Sequence, residues 1–274
     1  MSIFHRVNDA DYHILLHGDG HNFPLMLLHG FTGAGQVWEH VMGALGKAFK
    51  SVAPDLLGHG ETRVPDNPAR YAIERAADDL MVLAARLDCL PMALHGYSLG
   101  GRLALYLALN YPDAIRSLSL ESASPGLADA EARLQRQLAD DRLAARIESD
   151  GLNWFADYWQ AISLFESQKL LPSEVLEAQR ERRLRANSHG LANSLRGMGT
   201  GVQPPLWDEL GRLRMPVLLL TGGLDTKFCQ IAEQMRARIP LAEWQTVPDV
   251  GHAVYLEAPN AWLSAVTDFH RRYL

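Results

Sequence analysis

Gly96-Tyr97-Ser98-Leu99-Gly100 stands between an apolar run, Pro91 to Leu94, and a helical pattern, Leu103 to Leu109. A serine with glycine two residues to either side, at the junction of a strand and a helix, predicts a very sharp turn. Side chains on the flanking positions would clash there, so both are glycine. The turn leaves the Ser98 hydroxyl exposed at the carboxyl end of a sheet, with a helix N-terminus behind it. A glycine-rich turn with an incidental serine is common, so partners elsewhere in the chain decide what this one does.

The rest of the first half fits a sheet of that kind. Apolar runs at Tyr12–Leu16, Leu25–His29, Lys50–Ala53, Met92–His95 and Ile115–Leu120 predict strands. Helical patterns at Trp38–Lys47, Ile73–Leu87 and Ser98–Asn110 lie between them. Continuous apolar strands separated by helices predict an α/β fold with a mostly parallel sheet covered on both faces. After Glu121 the alternation stops. From Ser122 to Arg214 the patterns are helical and rich in arginine and aromatics, as at Ala128–Glu148, Asn153–Ile162 and Ser173–Arg185. Roughly ninety residues exceeds any ordinary crossover and predicts an inserted helical cap. The rhythm resumes with a strand at Val217–Thr221, a helix at Phe228–Ile239, a strand at Glu243–Val247 and a helix at Ala261–Tyr273. The expected organisation is a core of residues 1–121 and 215–274 interrupted by a cap of residues 122–214.

Bulk properties narrow the function classes. At 274 residues the chain can bury one substantial core. A net charge of −6 with 21% charged residues gives no support for nucleic-acid or anionic-membrane binding. No apolar run approaches the ~20 residues of a membrane span. Cys89 and Cys229 form no motif, which fits a reducing cytoplasm. No metal-ligand spacing or dinucleotide fingerprint appears, so neither a metal nor an organic cofactor is implied. The sequence sets no oligomeric state and is compatible with a monomer.

A serine hydroxyl is a poor nucleophile or base at neutral pH unless an imidazole takes its proton and a carboxylate orients the imidazole. The resumed half supplies both. Asp225 follows the Val217–Thr221 strand in Gly222-Gly223-Leu224-Asp225, and His252 follows the next strand in Val250-Gly251-His252-Ala253. Either motif alone is an ordinary loop. Together, in the order Ser98, Asp225, His252 and at matching element ends, they predict a catalytic triad. His29-Gly30-Phe31-Thr32-Gly33 follows the Leu25 strand and offers the Phe31 N–H to pair with the Leu99 N–H as an oxyanion hole. His59, in Gly58-His59-Gly60, is read as structural, because the triad already has its imidazole.

These motifs resemble the α/β-hydrolase superfamily over essentially the whole chain. That fold hosts many chemistries, so the resemblance alone leaves the activity open. The elbow Gly96–Arg102, Ser124-Pro125-Gly126-Leu127, Arg136, Tyr158-Trp159, Leu164–Gln168, Leu184–Asn187, Ser194–Pro204 and Lys227-Phe228 resemble a narrower family. They are similar to the 2-succinyl-6-hydroxy-2,4-cyclohexadiene-1-carboxylate synthases of menaquinone biosynthesis. That resemblance implies a lyase that expels pyruvate from a small-molecule tricarboxylate, with Ser98 acting in proton abstraction. It also implies a pocket rich in cations. Arg102, one helical turn beyond Ser98, and Arg136 and Arg185, on two cap helices, are the expected carboxylate ligands. Tyr97, Trp159 and Lys227 complete the expected substrate-binding set, with Tyr158 an alternative to Trp159. Arg133, Arg142, Arg182 and Arg183 are expected to be solvated. Two other readings stay open: an acyl-enzyme carboxylesterase or carbon–carbon bond hydrolase, and a non-catalytic receptor.

Overall fold

Leu25 and Leu27 pack on one side of a sheet while Met26 and Leu28 pack on the other. The same alternation recurs from Val217 to Leu220. Strands buried on both faces need a layer of helices on each. The computed structural model, which describes residues 1–274, supplies both layers. Its strands are β1 (Ser2–Val7), β2 (Ala10–His17), β3 (Phe23–Leu28), β4 (Phe49–Pro54), β5 (Met92–Tyr97), β6 (Ile115–Glu121), β7 (Val217–Gly222) and β8 (Ala242–Val247). They form one sheet in the order β1-β2-β4-β3-β5-β6-β7-β8. The β1–β2 and β2–β4 pairs are antiparallel and the remainder parallel.

The helices are α1 (Glu39–Leu45), α2 (Ile73–Arg86), α3 (Leu99–Asn110), α4 (Ala130–Ala161), α5 (Ser173–Arg185), α6 (Ser188–Met198), α7 (Thr226–Arg236), α8 (Val254–Glu257) and α9 (Pro259–Arg271). α2, α3 and α7 contribute to the core on one face of the sheet, and α1 and α9 to the core on the other. The apolar stripe of α2 (Ile73, Ala76, Ala77, Leu80, Leu83 and Ala84) shows how helical spacing delivers one buried face.

Between β6 and β7 the chain carries α4, α5 and α6 and no strand. α4 opens with Asp129 accepting a hydrogen bond from the Ala132 N–H at 2.8 Å, an N-cap. The helix kinks at Gly151, whose φ of 81° suits glycine. The two helical patterns expected on either side of that residue are thus two helical arms separated by a non-helical Gly151. Ala144, Ile147 and Phe155 of α4 pack with Leu191, Ala192 and Leu195 of α6 in a small core of their own. α6 sits close to the sheet domain: a Cβ on Gly190 would lie 2.6 Å from Gly58 O, and one on Gly58 would lie 2.4 Å from Gly190 O. Asn193 Nδ2 adds hydrogen bonds to the carbonyls of Pro65 and Asp66. No helix is long and apolar enough to cross a membrane.

Candidate active site

The turn at Ser98 is as tight as its glycines require. Ser98 has φ 51° and ψ −109°, a strained backbone for a residue with a side chain. A Cβ on Gly96 would lie 2.4 Å from Gly100 O, and one on Gly100 would lie 2.3 Å from Leu28 O. The close approach of β5, α3 and β3 at this point therefore requires glycine at both positions. The strained residue is tied at both ends: Ser98 N–H donates to Glu121 O at 2.9 Å, and Arg102 N–H donates to Ser98 O at 3.0 Å.

Asp225 and His252 come from the loops after β7 and β8. His252 Nδ1 lies 2.6 Å from Asp225 Oδ2, and His252 Nε2 lies 3.1 Å from Ser98 Oγ. Because Nδ1 faces a carboxylate it carries the proton, which leaves the Nε2 lone pair toward the serine. The second Asp225 oxygen accepts from Phe228 N–H at 3.3 Å as the N-cap of α7, which fixes the carboxylate. The imidazole packs among aromatic rings, with Phe228 at 4.6 Å and Tyr97 at 5.4 Å between centroids.

Two acidic residues without a part in the sequence reading hold the histidine loop. Glu257 accepts from Gly251 N–H at 2.7 Å and Ala253 N–H at 3.2 Å, on either side of His252. Glu121 accepts from Tyr255 N–H at 3.0 Å and Trp262 Nε1 at 2.8 Å. Burial pushes the Glu121 carboxyl up to about 8. Neither residue has a recognisable sequence signal: Glu257 reaches back to amides four and six residues earlier, and the partners of Glu121 lie more than 130 residues away.

Phe31, in the loop after β3, and Leu99, the first residue of α3, line the same cavity as Ser98. The loop bearing Phe31 is braced from behind. His29 Nδ1 donates to Gly30 O at 2.8 Å, and His29 Nε2 accepts from Leu56 N–H at 3.0 Å. Asp55 gathers Gly35 N–H, Glu61 N–H and His13 Nδ1. His59 sits against His29 and Phe31, and burial lowers its imidazole to about 4, so it is a neutral packing residue.

A cavity of about 580 Å³ opens above Ser98 between the sheet and the insertion. Of the expected binding residues, Tyr97, Arg102, Arg136, Trp159 and Lys227 all line it, together with Phe31, Leu99 and His252. Arg102 is 8% exposed and carries no ion pair. Its Nη1 donates to Met198 O at 2.9 Å and Gln203 Oε1 at 2.7 Å, and burial lowers the guanidinium to about 10, still cationic near neutrality. Arg136 is half exposed and pairs with Asp140 at 2.8 Å. Trp159 faces the cavity with a buried Nε1 that has no partner, while Tyr158 is exposed and stacks on Trp154. Lys227 is an exposed side chain at the rim.

The structure does not bring Arg185 to this cavity. Its side chain is 66% exposed, lies 3.9 Å from Glu181, and opens onto a separate depression with Thr32, His59 and Arg182. Helical phase is the reason: α5 turns Arg185 outward and Arg183 inward. Arg183 is accordingly not solvated as expected but 5% exposed. Arg133 is also engaged, donating to the carbonyls of Leu127 and Ala128. Ser122, Asp208 and Arg238 line the main cavity without having been singled out in the sequence, beside Ser124 of the Ser124–Leu127 motif. They are isolated polar residues on loops and helix ends, where sequence carries no periodic signal. No group of three histidine, cysteine or acidic side chains converges as metal ligands would.

Comparison with known proteins bears on this arrangement. A family model described as the alpha/beta hydrolase fold matches residues 24–259. The chain belongs to the α/β-hydrolase fold family. Within it, a Bacillus subtilis (strain 168) protein provisionally named 2-succinyl-6-hydroxy-2,4-cyclohexadiene-1-carboxylate synthase is 40% identical over 94% of each chain. The synthase of that name from Yersinia pestis bv. Antiqua (strain Nepal516) is 32% identical over 89% of this chain and 86% of its own. The solved structure of MenH from S. aureus superposes with a TM-score of 0.91 at 31% identity, covering 96% of this chain and 98% of that one. The chain is thus an α/β-hydrolase-fold enzyme related to these synthases.

Proposed function

We propose that the enzyme is a lyase of menaquinone biosynthesis. It expels pyruvate from 2-succinyl-5-enolpyruvyl-6-hydroxy-3-cyclohexene-1-carboxylate to give 2-succinyl-6-hydroxy-2,4-cyclohexadiene-1-carboxylate. The observation that carries the reading is Arg102, a buried guanidinium that makes no direct ion pair, lining the same cavity as Ser98 and Arg136. An esterase for neutral substrates gains nothing from a desolvated cation at that place, whereas a tricarboxylate supplies a directly bonded carboxylate. The relatives' names point the same way.

The chemistry follows from the triad. His252 Nε2 draws the proton from Ser98, and the Ser98 oxygen removes the proton from the ring carbon bearing the succinyl ketone. The Phe31 and Leu99 N–H groups donate to the ketone oxygen as enolate charge develops. The released electron pair forms the 2,3 double bond, the 3,4 double bond moves to 4,5, and the C5–O bond breaks. The imidazolium, held by Asp225, returns its proton to the departing enolpyruvate, which becomes pyruvate. Ser98 and His252 end as they began. Intact-protein mass spectrometry during turnover tests the role of the serine. Elimination leaves the protein mass unchanged, whereas an acyl adduct on Ser98 that decays with turnover would overturn it in favour of the esterase or carbon–carbon hydrolase reading.

A further inference from the structure

Arg183 is a second buried guanidinium that makes no direct ion pair, and it does not face the cavity above Ser98. The ion pairs made by arginines of α5 are Arg180 with Asp157 and Arg185 with Glu181; Arg182 and Arg183 have none. Arg183 Nη2 reaches Gln179 Oε1 on its own helix at 3.2 Å, while Arg183 Nη1 and Arg182 Nε are buried without any partner. Both arginines line a small recess of about 30 Å³ beside the loop of Gly30, Phe31, Thr32 and Gly33. Tyr97, Tyr255 and Gln168 contribute to its wall, and no acidic side chain does.

A guanidinium does not shed its proton at neutral pH, so burial here leaves positive charge uncompensated. The space has room for a water molecule or one small ion. Water would satisfy the Nη1 hydrogen bond but not the charge; an anion does both. We propose that this space binds one small monovalent anion, of chloride or carboxylate size, held by Arg183 and Arg182 against the loop that carries Phe31. The anion ties α5 to that loop and thereby helps to set the Phe31 N–H beside Ser98. It comes either from solution or as a carboxylate of a ligand in the main cavity, since Phe31, Tyr97 and Phe165 line both spaces.

Thermal melting of the full chain at constant ionic strength, with chloride or bromide replacing gluconate, tests this without substrate. It therefore stands apart from the proposed reaction. Saturable stabilisation is expected, about 5–10 °C at a hundredfold excess over Kd, with halide and not with gluconate. Arg183→Met loses the response and melts no lower than wild type in gluconate, while Arg142→Met keeps it. Equal melting of the wild type in chloride and gluconate overturns the proposal, as does an undiminished halide response in Arg183→Met. If that variant does not fold, bromide located by anomalous scattering in a wild-type crystal decides: density in this space supports the site, and its absence overturns it. Halide that raises KM competitively identifies a substrate carboxylate as the occupant, and halide that raises kcat identifies a free anion.

Discussion

Glu121 Oε2 lies 3.4 Å from His95 Nε2, and neither side chain has any exposure. Burial lowers the His95 imidazole to about 3 and raises the Glu121 carboxyl to about 8, so near neutrality the pair is uncharged rather than an ion pair. His95 Nδ1 is engaged with Ser119 Oγ at 2.8 Å. The same glutamate takes the Ser98 N–H on its main chain and the Tyr255 N–H on its side chain. It thus joins the strained elbow to the loop of His252.

This arrangement sets a pH dependence of stability. A carboxyl whose folded pKa lies above its ordinary value of 4.5 contributes stability that is present below 4.5 and lost as pH rises through about 8. His29, His59, His95 and His270, all lowered by burial from 6.5, contribute stability present above 6.5 and lost as pH falls below it. Between 6.5 and 8 the Glu121 slope stands alone among these groups, at most ~1.4 kcal/mol per pH unit. Urea unfolding across this range is expected to show falling stability in the wild type and a flat profile in Glu121→Gln.

The triad geometry predicts a loss in turnover rather than in binding. Ser98→Ala removes the atom 3.1 Å from His252 Nε2. Asp225→Asn replaces the acceptor of the 2.6 Å bond by a group that favours the wrong tautomer. Each is expected to lower kcat about a thousandfold with KM changed less than about threefold, read by steady-state kinetics.

Arg102 and Arg136 should separate by burial. Losing a charged hydrogen bond to substrate costs about 1.5–3 kcal/mol, so Arg102→Met is expected to raise KM roughly 10- to 100-fold. Arg136, half exposed and already paired with Asp140, should give a smaller rise on the same change. An equal or reversed order in the measured KM values would contradict the placement of Arg102 as the main anchor.

Gly100→Ala tests the elbow as a packing constraint. The new methyl would lie 2.3 Å from Leu28 O and 2.5 Å from His29 O, both backbone. Overpacking of this kind costs about 1–3 kcal/mol, measured by denaturant unfolding. Activity should fall as well, because the displaced segment carries the Phe31 loop.

The core was legible because its signals are local. Apolar runs marked β2 to β8 to within a few residues, and the glycines around Ser98 marked a turn that demanded them. β1 escaped because it is an edge strand with alternating exposure, Ser2, Phe4 and Arg6 outward, and lacks a continuous apolar run. The convergence of Ser98, Asp225 and His252 was legible from their order and element ends. The cap was legible as helical, but the direction of each arginine was not: Arg183 and Arg185 are two residues apart on α5, and only packing against the sheet domain decides which is buried. Glu121 was invisible for a related reason, since the Tyr255 N–H and Trp262 indole it accepts from are brought close only by the fold, and Glu257 because accepting from loop amides carries no motif.

The central claim is that this triad removes a proton from carbon and expels pyruvate. The direct measurement supplies the enolpyruvyl substrate and follows pyruvate release and diene absorbance together, with neutral esters assayed alongside. The account predicts one pyruvate for each diene formed, a rate abolished by Ser98→Ala, and slow ester hydrolysis. Pyruvate release no faster than in buffer, with rapid turnover of neutral esters, would contradict it.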